Sequence, residues 1–172
     1  MMDKSSLYYE VVPGLLFAGG CPWEKNPENS LFNDLISLGI RDFITLRDDV
    51  NIDEIRSSMH FKFPDVTIQQ FSITDFSIPD ELLLHRILQA MVLQIANGKQ
   101  IYIGCAKGLG RTGLIVSSFL SVHHGISGPE GMKLMNELRI QGNFHPDCAS
   151  PETSRQIDLV NNFEYMAHTL LE

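Results

Sequence analysis

The sequence predicts a single α/β domain spanning residues 1–172, with a mostly parallel central sheet flanked by helices. Short runs rich in Ile, Phe and Val alternate with helical patterns up to residue 104, and the remainder of the chain is mostly helical. The length of 172 residues and the hydrophobic content of 44% suit one core of ordinary size. Sheets of this kind bind ligands at the carboxyl ends of their strands, which is where we expect a functional site.

The predicted strands are short apolar runs between turn residues, and the predicted helices carry apolar residues at helical spacing. The strands are GLLFAGG at 14–20, DFITLR at 42–47, TIQQFSI at 67–73 and QIYIG at 100–104. The helices cover 30–39, 79–98, 111–125, 128–139 and 151–171. Ser150 and Pro151 are expected to cap the last helix and preset its first residue. The last three helices are expected to cluster on one side of the sheet.

The charge balance excludes several partners. Thirteen Lys and Arg residues against 21 Asp and Glu residues give a formal net charge of -8. This charge repels nucleic acid and anionic lipid at long range, so any anion must be captured by a local site. The six histidines and the acids show no metal-ligand spacing, and we expect neither a metal nor an organic cofactor.

The cysteines and the apolar runs indicate the compartment. Cys21, Cys105 and Cys148 have neither the number nor the spacing of a disulfide framework. The N-terminal residues lack an apolar core of signal-peptide length, and no run approaches the roughly 18 apolar residues of a membrane-spanning helix. We therefore expect a protein of the reducing cytoplasm without a membrane span.

Residues 104–113, GCAKGLGRTG, link the last predicted strand directly to a helix that begins near Arg111. Glycines at 108 and 110 let successive backbone N–H groups point inward, and the helix N-terminus adds about half a positive charge. Arg111 can close this cradle with two parallel donors that match two phosphoryl oxygens. The stretch predicts a phosphate-binding loop formed by Ala106, Lys107, Gly108, Leu109, Gly110 and Arg111.

The same electric field acts on the Cys105 thiol. An unperturbed cysteine is only about 3% thiolate at pH 7, whereas a helix N-terminus and nearby cations favour the thiolate strongly. One loop can therefore activate a nucleophile and bind its target. Thr112, next to the arginine, can donate a hydrogen bond to the sulfur when the thiolate becomes a leaving group. The alternative is an ordinary buried cysteine beside a glycine turn.

The loop resembles the signature H-C-x-x-G-x-x-R-[ST] of the cysteine-dependent protein tyrosine phosphatase superfamily, and GLGRTG is similar to dual-specificity members. The segments VVPGLLFAGG (11–20) and LGIRDFITLRD (38–48) resemble the opening strand and the next helix-to-strand step of dual-specificity domains. The resemblance implies a phosphotyrosine phosphatase-like fold and hydrolysis of protein phosphomonoesters through cysteinyl-phosphate. Gly104 departs from the family, which usually has a histidine there that helps to organise the loop.

Departure of an alkoxide or phenoxide needs a proton donor. Asp75 is the candidate, because FSITDFSIPD (71–80) resembles the family's acid loop, where an aspartate precedes a proline by a few residues. Asp80 is the rival, although its plainer role is to cap the following helix. The segment ASPETSRQ (149–156) resembles a late SPE-x-x-x-Q segment of these phosphatases, which makes Gln156 a candidate for positioning water. A solvent-facing glutamine is the alternative.

Three other functions stay open. Lys107 can extend the attraction to highly phosphorylated substrates, so a phosphoinositide or inositol phosphate phosphatase is one alternative. A catalytically weak phosphate-binding module is the second, and a sulfur-transfer or redox protein is the third. Because a binding module needs no nucleophile and no acid, the combination of Cys105, Arg111 and Asp75 favours hydrolysis over binding alone. The resemblance to the dual-specificity group implies phosphotyrosine, phosphoserine or phosphothreonine in proteins as substrates.

Overall fold

The computed structural model describes residues 8–23 and 30–163. Its five strands are β1 (Tyr8–Val12), β2 (Leu16–Gly19), β3 (Asp42–Arg47), β4 (Thr67–Ile73) and β5 (Ile101–Gly104). They form one sheet in the order β1-β2-β5-β3-β4. Only the β1–β2 pair is antiparallel, and the other three pairs are parallel. The predicted mostly parallel sheet is therefore confirmed.

The described helices cover both faces of this sheet. They are α1 (Ser30–Ser37), α2 (Ile52–His60), α3 (Glu81–Ala96), α4 (Gly110–His124), α5 (Gly128–Gln141) and α6 (Ser154–Asn161). Every predicted strand and helix has a counterpart here, and the α/β fold class is confirmed. Strand β1 and helix α2 are additions that the apolar patterns did not predict.

Two hydrophobic clusters pack against opposite faces of the sheet. Ile44 and Ile103 belong to the larger cluster, which includes apolar side chains of α3, α4, α5 and α6. Phe43 and Tyr102, their neighbours in sequence, belong to the smaller cluster with side chains of α1 and α2. Successive side chains of a strand point to opposite faces, so each strand contributes to both clusters. The late helices lie on one face, as expected.

The last helix begins differently from the prediction. Its N-cap is Thr153, whose side chain accepts a hydrogen bond from the Gln156 backbone N–H, and Gln156 Oε1 accepts one from the Thr153 N–H. Ser150 is not the cap, because its hydroxyl donates to the Leu109 carbonyl oxygen at 2.7 Å. The predicted helix extended to residue 171, and its part beyond residue 163 lies outside the described residues.

The parallel register brings the candidate residues to one edge. Gly104 pairs with Gly19 on one side and with Thr45 on the other, so β2 and β5 end together and β3 continues only to Arg47. The loops after these strands and after β4 therefore meet at the same end of the sheet. Within the described part of the chain, none of the helices combines the length and apolar composition that crossing a bilayer requires.

Candidate active site

The predicted phosphate loop lies between β5 and α4. Cys105 follows the last residue of β5 and is 3% exposed, and α4 begins at Gly110. Gly108 has a φ of 74°, in the left-handed region that glycine adopts without steric cost. Leu109, the N-cap, contributes no side-chain hydrogen bond to the first turn. The amides at this helix N-terminus are thus not occupied by their own cap, which suits an anion site.

Arg111 is buried beside the cysteine loop, with 3% of its surface exposed. Its Nη1 donates to the Ile73 carbonyl oxygen at 2.9 Å, and its Nη2 lies 3.0 Å from Asp75 Oδ1. Asp48 Oδ1 is 3.7 Å from Nη1. The Nε atom is also buried and has no hydrogen-bond partner among the described residues. A buried guanidinium donor without a partner is costly, and a phosphoryl oxygen would satisfy it.

The two acid candidates have different surroundings. Asp75 follows β4, and its side chain is 55% exposed while it contacts Arg111. The backbone N–H of Phe76 donates to Asp75 Oδ1 at 3.1 Å, and Phe76 has a φ of 58°. Asp80 is the N-cap of α3 and accepts a hydrogen bond from the Leu83 N–H at 2.8 Å. The structure therefore places Asp75 at the arginine and Asp80 at the start of a helix.

Gln156 is fully buried and binds backbone groups at both ends of its amide. Its Oε1 accepts from the N–H groups of Glu152 and Thr153, and its Nε2 donates to the Ser77 carbonyl oxygen at 3.0 Å. A methyl group at Gly110 would lie 3.1 Å from Oε1, so the amide packs directly against the start of α4. Gln156 thus joins the acid loop to the helix that carries Arg111, and its role in positioning water stays a prediction.

Two further predicted residues lie on the loop and the helix. Thr112 is fully buried, and its hydroxyl has no hydrogen-bond partner within residues 8–23 and 30–163. Lys107 is exposed at the tip of the loop. These positions are compatible with a donor for the sulfur and a cation for an approaching anion, respectively.

A comparison with protein families identifies the chain. The family model described as "Tc-R-P: Polymorphic toxin system, DSP-PTPase phosphatase" matches residues 18–125, more than half of the 172 residues. The chain belongs to this phosphatase family. The matched residues include the first two loops of the site, after β2 and β3, together with the acid loop, Cys105 and Arg111.

Solved structures share the fold of this phosphatase at low sequence identity. Tk-PTP in its active form is 22% identical, with a TM-score of 0.69, over 92% of this chain and 95% of that chain. PTPMT1 in complex with PI(5)P is 19% identical, with a TM-score of 0.69, over 91% and 93% of the two chains. The core catalytic domain of the PP-IP phosphatase SIW14 from S. cerevisiae, in complex with citrate, is 18% identical, with a TM-score of 0.64, over 91% and 85%.

The structure gives a steric reason for Gly104 in this phosphatase. A methyl group at residue 104 would lie 2.7 Å from the Gly20 carbonyl oxygen and 3.0 Å from that of Gly19. It would also lie 3.1 Å from Cε1 of Tyr102. Any side chain at this position would displace backbone atoms. The histidine that cysteine-dependent tyrosine phosphatases usually have here therefore does not fit without rearrangement.

Sequence reasoning missed two residues of the phosphatase site. Asp48 lies beside Arg111. The sequence signal that could have found it is its position directly after β3, a strand that pairs with β5. Tyr102 contacts Gly20 close to the loop, and the alternation of strand side chains could have placed it on the same face as Gly104.

No group of three or more His, Cys, Asp or Glu side chains within the described ranges could hold a metal ion.

Proposed function

We propose that this phosphatase hydrolyses phosphate monoesters of phosphotyrosine and/or phosphoserine and phosphothreonine in proteins through a cysteinyl-phosphate intermediate. The observation that carries the proposal is the buried Arg111 Nε, which has no partner among the described residues and belongs to the loop that begins with Cys105. Burial strengthens the interaction of a guanidinium with an anion, because water screens it less. A dianionic phosphoryl group is the ligand that this donor and the loop amides suit best.

In the first step, the Cys105 thiolate attacks phosphorus in line, and the bond between phosphorus and the ester oxygen breaks. The loop amides of residues 106–111 and Arg111 hold the three equatorial oxygens as negative charge spreads over them. Binding of phosphate replaces the contact between Asp75 and Arg111 Nη2, which frees the Asp75 carboxyl group. Asp75 then gives its proton to the departing oxygen.

In the second step, a water molecule attacks the phosphorus of cysteinyl-phosphate. Asp75, now a carboxylate, accepts the water proton, and the bond between sulfur and phosphorus breaks to release inorganic phosphate. The electron pair returns to the Cys105 sulfur, and the Thr112 hydroxyl donates a hydrogen bond to it. All three cysteines lack disulfide bonds, and a reducing compartment such as the cytoplasm would keep the nucleophile as a thiol.

The test is the rate of hydrolysis of a small aryl phosphate against pH, in the presence of a chelator. We expect the profile to be bell-shaped, to vanish for Cys105→Ser and to lose its basic limb for Asp75→Asn, with a loss in kcat of about 10²–10⁴. Asp80→Asn is the matched control, because asparagine caps a helix about as well as aspartate and the change removes an equivalent charge. It should retain wild-type activity.

Other outcomes would replace the proposal. If the wild-type protein binds phosphate but releases none from any ester, the domain is a phosphate-binding module. Thiosulfate turnover that survives Asp75→Ala would indicate sulfur transfer, which needs no acid for a leaving oxygen. If Asp80→Asn loses as much activity as Asp75→Asn, the assignment of Asp75 as the general acid is wrong.

A further inference from the structure

We propose that Tyr102 is a positioning residue for the phosphate loop, acting through the turn formed by residues 19–21. This inference rests on the proposed function, since it concerns the same anion site. The Tyr102 hydroxyl fixes the position of the Gly20 carbonyl group. The turn held in this position then orients the peptide between Ala106 and Lys107, so that its N–H points toward the bound phosphate.

The first contact lies within the core. Tyr102 is fully buried on β5, and its hydroxyl donates to the Gly20 carbonyl oxygen at 2.7 Å. Burial keeps the pKa of Tyr102 well above its ordinary value, so the hydroxyl remains protonated and able to donate. Because an aromatic ring packed on all sides has little freedom, this bond gives the Gly20 carbonyl a fixed position at the end of β2.

The second contact transmits that position to the loop. The Cys21 backbone N–H, which belongs to the peptide of the Gly20 carbonyl, donates to the Ala106 carbonyl oxygen at 3.1 Å. In a trans peptide the C=O and N–H groups point in opposite directions. With its carbonyl directed to the 19–21 turn, the Ala106–Lys107 peptide directs the Lys107 N–H away from the turn and into the loop, where an anion-binding amide is needed.

The turn and the loop are in backbone contact over several residues. A methyl group at Gly108 would lie 2.4 Å from the Gly19 carbonyl carbon, and one at Gly20 would lie 3.2 Å from the Ala106 carbonyl oxygen. Such close approach needs glycine on both sides and leaves little room for independent movement. A shift of the Gly20 carbonyl would therefore move the loop amides. This arrangement supports the loop at the place where the resembling family has a histidine and this chain has Gly104.

The experiment measures the dissociation constant of inorganic phosphate by calorimetry and the turnover of an aryl phosphate for the full chain. Tyr102→Phe keeps the ring and removes only the hydroxyl. We expect phosphate to bind about tenfold more weakly, the loss that follows from misdirecting one charge-assisted hydrogen bond, with KM raised in parallel. The pH profile of Cys105 alkylation by iodoacetamide should move to higher pH, since the same amides stabilise the thiolate.

Tyr9→Phe is the matched control. Tyr9 is also buried, at 2% exposure, but its hydroxyl has no partner among the described residues. Its removal should leave phosphate affinity and the alkylation profile unchanged. Gly20→Ala is a second probe, because its methyl group would lie nearest to the Ala106 carbonyl oxygen and the Tyr102 hydroxyl would remain. It should weaken phosphate binding even if Tyr102→Phe fails to fold.

The outcomes separate this inference from the proposed function. Wild-type protein that binds phosphate without turnover would contradict the hydrolase, while the dissociation constants would still decide the role of Tyr102. The inference is wrong if folded Tyr102→Phe binds phosphate within twofold of wild type, or if Tyr9→Phe loses as much affinity. It is also wrong if Gly20→Ala leaves binding unchanged, or if wild type binds no phosphate.

Discussion

At the scale of single residues, the surroundings of Arg111 leave part of its guanidinium without an acceptor among the described residues. The Ile73 carbonyl and the carboxylates of Asp75 and Asp48 surround two of its nitrogens, while Nε remains for a ligand. The fixed orientation of the guanidinium reduces the entropy that phosphate binding must overcome. Under the proposed mechanism, phosphate binding and the release of Asp75 would be coupled at this one side chain.

Lys107 tests the substrate class at this scale. The side chain is exposed, so its attraction for a single phosphate is screened by water. For a protein phosphatase, we expect Lys107→Met to lower kcat/KM for a phosphotyrosine peptide by less than about fivefold, which corresponds to the upper range of an exposed ion pair. The measurement compares this peptide with PI(5)P and an inositol polyphosphate.

A matched Lys107→Arg variant should keep all activities, because it conserves the charge. Higher wild-type activity on the inositol substrates, together with a much larger loss for them in Lys107→Met, would favour the phosphoinositide alternative.

The sequence predicts the loop residues better than the residues around them. Cys105 and Arg111 lie in one short stretch between a strand and a helix, so their proximity follows from local chain geometry. Asp48 reaches the arginine only because β3 lies next to β5, and Tyr102 reaches Gly20 only because β2 pairs with β5 on its other side. Neither contact can be read from spacing along the chain, because strand order depends on tertiary packing.

At the scale of elements, helix α5 begins with a complete capping box. Ser127 accepts a hydrogen bond from the Glu130 N–H, and the Glu130 carboxylate accepts from both the hydroxyl and the N–H of Ser127. The side-chain hydrogen bond from Ser127, with the backbone bond second, lowers the pKa of Glu130 below its ordinary value of 4.5. The carboxylate thus stabilises the native state above about pH 4.5, and this contribution is lost as the pH falls through the lowered pKa.

Glu130→Gln isolates this contribution, because glutamine can complete a capping box but does not titrate. Between pH 6 and pH 3 we expect the urea midpoint of the wild-type protein to fall further than that of Glu130→Gln. The two proteins are compared at each pH by far-UV circular dichroism. If the urea midpoints of the two proteins fall in parallel as the pH decreases, the Ser127 hydrogen bonds do not favour the charged form of Glu130 in the native state.

The elements that the sequence missed have physical reasons in the structure. Helix α2 buries none of its residues fully, and its apolar side chains at helical spacing, Ile52, Ile55 and Met59, are few and pack only partly against the smaller cluster. Its signals were the Asn51 cap and the acids in its first turn, Asp53 and Glu54. Strand β1 is only five residues long and lies at the edge of the sheet. Its alternation of buried Tyr9 and Val11 with exposed Glu10 was too short to stand out.

At the scale of the whole molecule, the two hydrophobic clusters share every strand of the sheet core and should unfold together. Trp23 is the single tryptophan of the chain, and its ring contacts Phe43 in the smaller cluster at a centroid distance of 5.7 Å. Most described helical residues lie on the opposite face, in α3 to α6. We expect the fluorescence of Trp23 and far-UV circular dichroism to give the same urea midpoint.

Phe32→Leu is a useful control, because it perturbs only the smaller cluster, where Phe32 packs on Phe43 with ring centroids 5.6 Å apart. Both midpoints should decrease together in this variant. Separate midpoints, with fluorescence changing first, would mean that the α1–α2 face unfolds as an independent unit.

The site is distributed unequally across the sheet. The loop that begins with Cys105 follows β5, a fully buried strand with parallel neighbours on both sides, whereas the loop with Asp75 follows β4 at the sheet edge. We therefore expect the amide protons of β5 to be among the slowest to exchange with solvent, and those of β4 to exchange through smaller openings of the native state. Thermal fluctuation should therefore separate Asp75 from Arg111 more often than it displaces Cys105, so the loop between β5 and α4 should keep its shape through openings that move the loop after β4.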